Sequence, residues 1–259
     1  MGLDAAHVVF LRPGEGETIF DGRERTIRVL ADRDELALTW FRYQPGEDGP
    51  EPHVHRRHTD AFYVLEGELE LGLGPDVARR TATAGTLAAA PPNVVHTFSN
   101  ASAGTVVFLN IHAPSMGFAE MLRAARDGRE EKAEKFDQFA PPADGGRPLS
   151  DAVFRGPGEG DSIKIGESSA VSKAEGPDVD GFFSMMETTL APRFEGPVLN
   201  HAGALVGTLY VLEGTLSIEL GDEQIEAGPG AFAQVPAGKA TFANRSAQEV
   251  RVLNLIAPA

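Results

Sequence analysis

The chain repeats itself, and this constrains its fold more than any other feature. FLRPGEGETI from Phe10 returns as FRGPGEGDSI from Phe154, 144 residues later. YVLEGELELGLG from Tyr63 returns as YVLEGTLSIELG from Tyr210, at an offset of 147. HTFSNAS from His96 matches ATFANRS from Ala240, and FLNIHAP from Phe108 matches VLNLIAP from Val252. Four matches in order, with offsets differing by three residues, mark two copies of one domain. Each copy spans about 110 residues, enough for its own core. The boundaries expected are 1–117 for the first copy, 118–152 for a connecting helix and linker, and 153–259 for the second.

Within a copy the pattern is strand and turn. Leu65, Leu69, Leu71 and Leu73 alternate with Glu66, Glu68, Glu70 and Gly72. Leu212, Leu216, Ile218 and Leu220 hold the same phase in the second copy. A period of two means strands with one buried face. The 29 glycines and 18 prolines punctuate short apolar runs, as in a many-stranded β protein. Further strands are expected at Leu36–Tyr43, Thr105–His112, Gly181–Leu190 and Glu249–Ile256. Between the copies, Phe118 to about Gln138 reads as one amphipathic helix with a solvated charged face, followed by a linker from Ala140 to Pro148.

Composition excludes several function classes. Acidic residues outnumber Lys and Arg by 38 to 23, giving a formal charge of −15. Neither half is basic, so nucleic acid and anionic membranes are not expected partners. There is no cysteine, which removes disulfides, thiolate nucleophiles and Cys-ligated zinc. Neither a signal peptide nor a membrane span is legible, so the expected location is cytoplasmic.

Histidine placement carries the chemistry. Six of the seven histidines precede residue 150, and PEPHVHRRHTDAFYVLEG holds His53, His55 and His58. Residues i and i+2 of a strand point to one face, so His53 and His55 can reach one ion. Asp60 can add an anionic oxygen, and PPNVVHTFSN supplies His96. His58 is the substitute should Asp60 not ligate, although an exposed loop position is expected for it. His112, which aligns with Ile256, is expected to pack or to line a pocket. His7 and His201 carry no signal. In the second copy Asn200, Ala202, Gly207 and Ala240 replace the four candidate ligands while the hydrophobic frame persists. Metal is therefore expected in the first copy alone. Three neutral imidazoles and a carboxylate suit one divalent first-row ion: Mn, Fe, Co, Ni, Cu or Zn. Phe41, Phe62 and Phe98 are candidates for an apolar lining.

These segments resemble the two motifs of the cupin superfamily. The first reads His53, His55, Asp60 and Gly67; the second reads Gly85, Pro91, Asn93, His96 and Asn100. The chain departs from the family at Asp60, where the family has Glu, and at Asn93, where it has Gly. The resemblance implies an all-β bicupin: two antiparallel jelly-roll barrels with one interdomain helix. The frame is similar to that of quercetin 2,3-dioxygenases. That likeness implies a metal-dependent dioxygenase acting on a small aromatic or enol substrate, with Asp60 as both ligand and general base. A metal-dependent isomerase or lyase and a non-catalytic ligand-binding cupin remain open alternatives, as does a homo-oligomer.

Overall fold

The computed structural model describes residues 8–198, 206–220, 223–236 and 241–258. His7, Asn200, His201, Ala202 and Ala240 lie outside them. The chain is all-β: strands and turns dominate, and Phe118–Arg126 is the one α-helix among the described residues.

Two compact units form, and neither is contiguous. One contains Gly16–Glu159 with Pro177–Phe182; the other contains Met1–Glu15, Gly160–Gly176 and Phe183–Ala259. The division therefore differs from the boundaries at 117 and 152 expected from the repeat. The repeated opening strands account for part of the difference. Val9–Leu11 pairs with Phe232–Pro236, within the later unit. Val153–Arg155 pairs with Leu87–Ala90, within the earlier one. A repeat identifies equivalent segments, but not which sheet edge satisfies a strand's free N–H and C=O groups. The helix and linker, expected as a separate piece, belong to the earlier unit.

In the earlier unit, a seven-stranded antiparallel sheet runs in the order Val153–Arg155, Leu87–Ala90, Thr59–Glu66, Val106–Ala113, Ala37–Tyr43, Arg25–Asp32, Glu17–Asp21. A smaller sheet orders His96–Ser99, Glu68–Leu73 and Ala78–Thr83. Leu69, Leu71 and Leu73 are buried as the alternation requires, whereas Leu65 is only partly buried near the end of its strand. Gly67 turns between the two strands at φ 75°. A Cβ there would lie 2.3 Å from the Thr105 carbonyl oxygen, so both conformation and space demand glycine. Gly214 repeats this turn at φ 77°.

Phe41, Tyr43, Phe62, Phe98 and Phe108 fill the core of the earlier unit. Phe41 and Phe108 stack with centroids 5.0 Å apart. Phe41, Phe62 and Phe98, expected to line a pocket, are members of this packed cluster. The core of the later unit is more aliphatic, with Leu209, Val211, Leu216, Ile218 and Val252. Each copy also keeps one polar turn. Asn100 donates to the Tyr43 and Gly104 carbonyls and accepts from Ser102. Asn244 donates to the Leu190, Ala191 and Gln248 carbonyls and accepts from Ser246.

The expected helix to Gln138 stops at Arg126. Gly128 takes φ 66°, its N–H bonds to the Ala125 carbonyl, and that of Arg129 bonds to Ala124. Glycine-assisted closure of this kind outcompetes continuation. A separate 3-10 turn follows at Ala133–Phe136. Arg123 ties the helix to Glu17 at 2.6 Å and to Asp32 at 2.7 Å, and Arg126 adds a 3.0 Å contact to Glu17.

Two outcomes follow for stability. Phe108→Ala is expected to cost about 3–5 kcal/mol, because the ring is fully buried; urea unfolding measures it. The Glu17 carboxyl is held below its ordinary value, chiefly by the hydrogen bond from Arg123, with burial opposing and Arg126 assisting. Its contribution is thus present at neutral pH and is lost as pH falls through the depressed value. Glu17→Gln should cost no more than about 1 kcal/mol at neutral pH for so exposed a pair. It should also flatten the acid side of the stability–pH curve.

Candidate metal centre

The site forms where two short backbone pairings meet. His53 and His96 bridge antiparallel strands, with His53 N–H donating to the His96 carbonyl at 3.1 Å and the reverse bond at 2.9 Å. This sets their rings 4.2 Å apart. His55 lies in Val54–His55, two residues on and facing the same way. Asn93 makes the turn before His96 at φ 65°, a conformation Asn tolerates. Its N–H donates to the His55 carbonyl at 2.6 Å. Asp60 arrives on Thr59–Glu66, paired across the sheet with His112.

His53, His55, Asp60 and His96 are all buried, and each offers a donor atom within 4.8 Å of the others'. Backbone carbonyls engage one nitrogen of each ring. His53 Nδ1 meets the Glu51 oxygen at 2.9 Å, His55 Nδ1 the Asp137 oxygen at 2.9 Å, and His96 Nδ1 the Val94 oxygen at 3.0 Å. A carbonyl only accepts, so each Nδ1 donates and each ring is left with its Nε2 directed away from that carbonyl. His55 Nε2 and His96 Nε2 are buried with no hydrogen-bond partner. The Asp60 Oδ2 atom lies 3.2 Å from His96 Nε2 and 3.8 Å from His55 Nε2. Burial, with the neighbouring His96 and His55, pushes the His53 ring down to about 2, so it is neutral. Burial alone would raise the Asp60 carboxyl; His112 leads the interactions that hold it well below its usual range. The centre thus gathers three imidazole rings around one buried carboxylate. A buried acceptor without a donor costs about 1–3 kcal/mol. Three imidazoles and a carboxylate are a donor set that suits a divalent cation, which could satisfy these atoms.

Around these four sits a second group. Asn110 Nδ2 donates to Asp60 Oδ1 and to the Ala61 carbonyl. That turns the Asn110 oxygen toward His112 Nε2, at 3.1 Å. His112 stacks on Phe118 at 3.6 Å, and its Nδ1 is 2.9 Å from His58 Nε2. His58 also bonds Asp137 Oδ2 at 2.9 Å. The expectation of an exposed His58 is therefore corrected: it is 1% exposed, buried by a carboxylate distant in sequence. His55, His58 and His112 also lie close enough to be read as a donor group, but both nitrogens of His58 are already engaged. Asn110 and Asp137 were missed by sequence reasoning. Asn110 sits in a uniformly buried strand, and Asp137 sits in a segment whose charges resemble a solvated face.

A cupin-domain model matches residues 39–112 and 186–256, over half of the chain. The chain belongs to the cupin superfamily. Solved structures align over nearly the whole chain. A protein from Pseudomonas aeruginosa described as glyoxylate-induced aligns at TM-score 0.70 and 15% identity, over 100% of this chain and 92% of its own. A variant of Bacillus subtilis oxalate decarboxylase aligns at 0.64 and 13%, over 99% and 78%. The coconut allergen cocosin aligns at 0.67 and 14%, over 98% and 86%. At such identities the likeness is one of fold. No curated protein matches by sequence. No helix among the described residues of this cupin is long and apolar enough to cross a membrane.

His53→Ala, His55→Ala and His96→Ala should each lower Co(II) affinity by more than about 100-fold, the loss expected of a direct donor rather than an outer-shell partner. Asp60→Asn, which keeps the shape, should weaken binding less. Isothermal titration measures both, and a His96→Ala protein that binds as tightly as the parent would remove His96 from the ligand set.

Proposed function

We propose that this cupin is a metal-dependent enzyme, and that its reaction is the dioxygenation of a small aromatic or enol substrate. The observation that carries the reading is the burial of His53, His55, Asp60 and His96 with donor atoms within 4.8 Å of one another, the His55 and His96 Nε2 atoms having no hydrogen-bond partner. His53, His55, Asp60 and His96 are the proposed ligands of one divalent first-row ion per chain. When bound, that ion would supply Lewis acidity and open positions for substrate and dioxygen.

The chain's own groups divide the remaining work. Asn110 holds Asp60 Oδ1, leaving Oδ2 toward the imidazoles and able to take a substrate proton. Asp60 is thus the proposed base as well as a ligand. Its side chain is one methylene shorter than glutamate, so its reach depends on where Thr59–Glu66 places it. Phe62, 6.4 Å from the His96 ring, presents an apolar wall that disfavours bulk water. The proposed partner is a small molecule, with neither nucleic acid nor membrane involved, and the proposed compartment is the cytoplasm. Self-association of the chain is compatible with this reading.

An oxygen electrode tests the reaction with flavonols and simpler enols, on protein loaded separately with Mn, Fe, Co and Ni. Oxygen uptake that Asp60→Asn reduces at least about tenfold is the expected result. Turnover without oxygen would instead indicate a lyase or isomerase. Tight stoichiometric binding without turnover under any metal would indicate a ligand-binding cupin.

A further inference from the structure

We infer that Asp137, supplied by the segment between the two repeats, is the positioning residue that orients both His55 and Asp60. The inference rests on the metal-site reading above for its purpose, but its geometry stands apart from that reading.

Asp137 follows the 3-10 turn Ala133–Phe136 and adopts φ 61°. It is 1% exposed, although Lys132, Glu134 and Lys135 before it are exposed. The left-handed conformation is uncommon for a side chain other than Gly, Asn or Asp. It lets one residue aim both its carbonyl and its carboxylate at the loop 55–58. The carbonyl accepts from His55 Nδ1 at 2.9 Å. Oδ2 accepts from Arg56 N–H at 3.0 Å, Arg57 N–H at 2.8 Å and His58 Nδ1 at 2.9 Å. Oδ1 accepts from Arg57 Nε at 3.2 Å. The chain then pairs Gln138 with His55 and Phe139 with Val54, and the Arg56 guanidinium lies over the Phe139 ring at 3.8 Å.

These contacts reach two candidate ligands by different routes. The carbonyl acts on His55 directly, and its acceptor-only character fixes the ring with Nδ1 as the donor and Nε2 turned toward Asp60. The carboxylate acts on Asp60 through a file of polar side chains. It orients His58, whose other nitrogen meets His112; His112 meets the Asn110 oxygen, and Asn110 holds Asp60 Oδ1. Each member is buried, so a break anywhere in the file leaves a polar group stranded. His53 and His96 are independent of Asp137, because their Nδ1 protons go to the Glu51 and Val94 carbonyls. They provide an internal control.

Two substitutions test this. Asp137→Gly tolerates the left-handed conformation but deletes the carboxylate that anchors the residue to the loop, so its carbonyl is no longer held toward His55. Asp137→Asn also tolerates the conformation and can still accept the two backbone N–H bonds. It serves if the glycine variant does not fold. In metal-free protein, long-range 1H–15N spectra should show a proton on Nδ1 of each of His53, His55, His58 and His96 in the parent. Either variant should change the His58 signal, and Asp137→Gly should also change that of His55, while His53 and His96 stay fixed. With Co(II), Asp137→Gly should lower affinity about 10–100-fold and shift the visible ligand-field bands; Asp137→Asn should do so less. A merely structural role would lower thermal stability without altering those bands. Unchanged His55 and His58 tautomers, with unchanged Co(II) affinity and spectrum in both variants, would overturn the inference. A parent protein that binds no Co(II) would overturn the metal reading, and the tautomer spectra would still decide the role of Asp137.

Discussion

The organising constraint of this chain is the burial of four polar side chains at one point. Backbone carbonyls fix the Nδ1 side of His55 and His96, so both rings turn their Nε2 atoms toward Asp60. Burying so many polar groups together is costly unless each is held in place. The surrounding sheets place every member. The aromatic cluster beneath the centre, the Asn93 turn and the paired strands at His53 and His96 all serve to hold side chains that would otherwise separate.

The duplication clarifies what belongs to the fold and what belongs to the chemistry. Both copies keep the tight glycine after the long central strand and the Asn–Ser turn that closes the barrel hairpin. These are requirements of backbone geometry, and each unit must meet them alone. The histidines do not recur, and the aromatic core gives way to an aliphatic one. The fold's backbone requirements are thus met in both copies whether or not the candidate ligands are present. Each buried imidazole nitrogen without a partner weighs against stability by about 1–3 kcal/mol.

The segment between the repeats gains a role from the same logic. Once His55 and His58 are buried, their outer nitrogens need acceptors, and the loop 55–58 leaves two backbone N–H groups to satisfy. Asp137 meets these demands from one position. A buried carboxylate is costly to desolvate, but here it faces backbone donors, a ring N–H and the Arg57 guanidinium, which repay that cost through charge-assisted bonds.

Local pattern alone determined much of this protein. The repeat offset showed two copies, the period-two alternation showed strands, and the spacing of His53, His55, Asp60 and His96 brought the candidate ligands into view, because each signal depends on neighbours along the chain. Other features were decided only in three dimensions. Which sheet receives the strands at Phe10 and Phe154 depends on open edges, and an edge leaves no mark on the strand that fills it. The burial of His58, and the presence of Asn110 and Asp137 at the centre, depend on contacts 50 to 82 residues apart in the chain. Asp137 stands among charges whose helical spacing suggests solvent, and a single carboxylate turned inward has no periodicity by which to be recognised. Hydrogen-bond partners of a buried ring are chosen by proximity in the folded state, so the sequence displayed the candidate ligands while the tertiary structure selected what orients them.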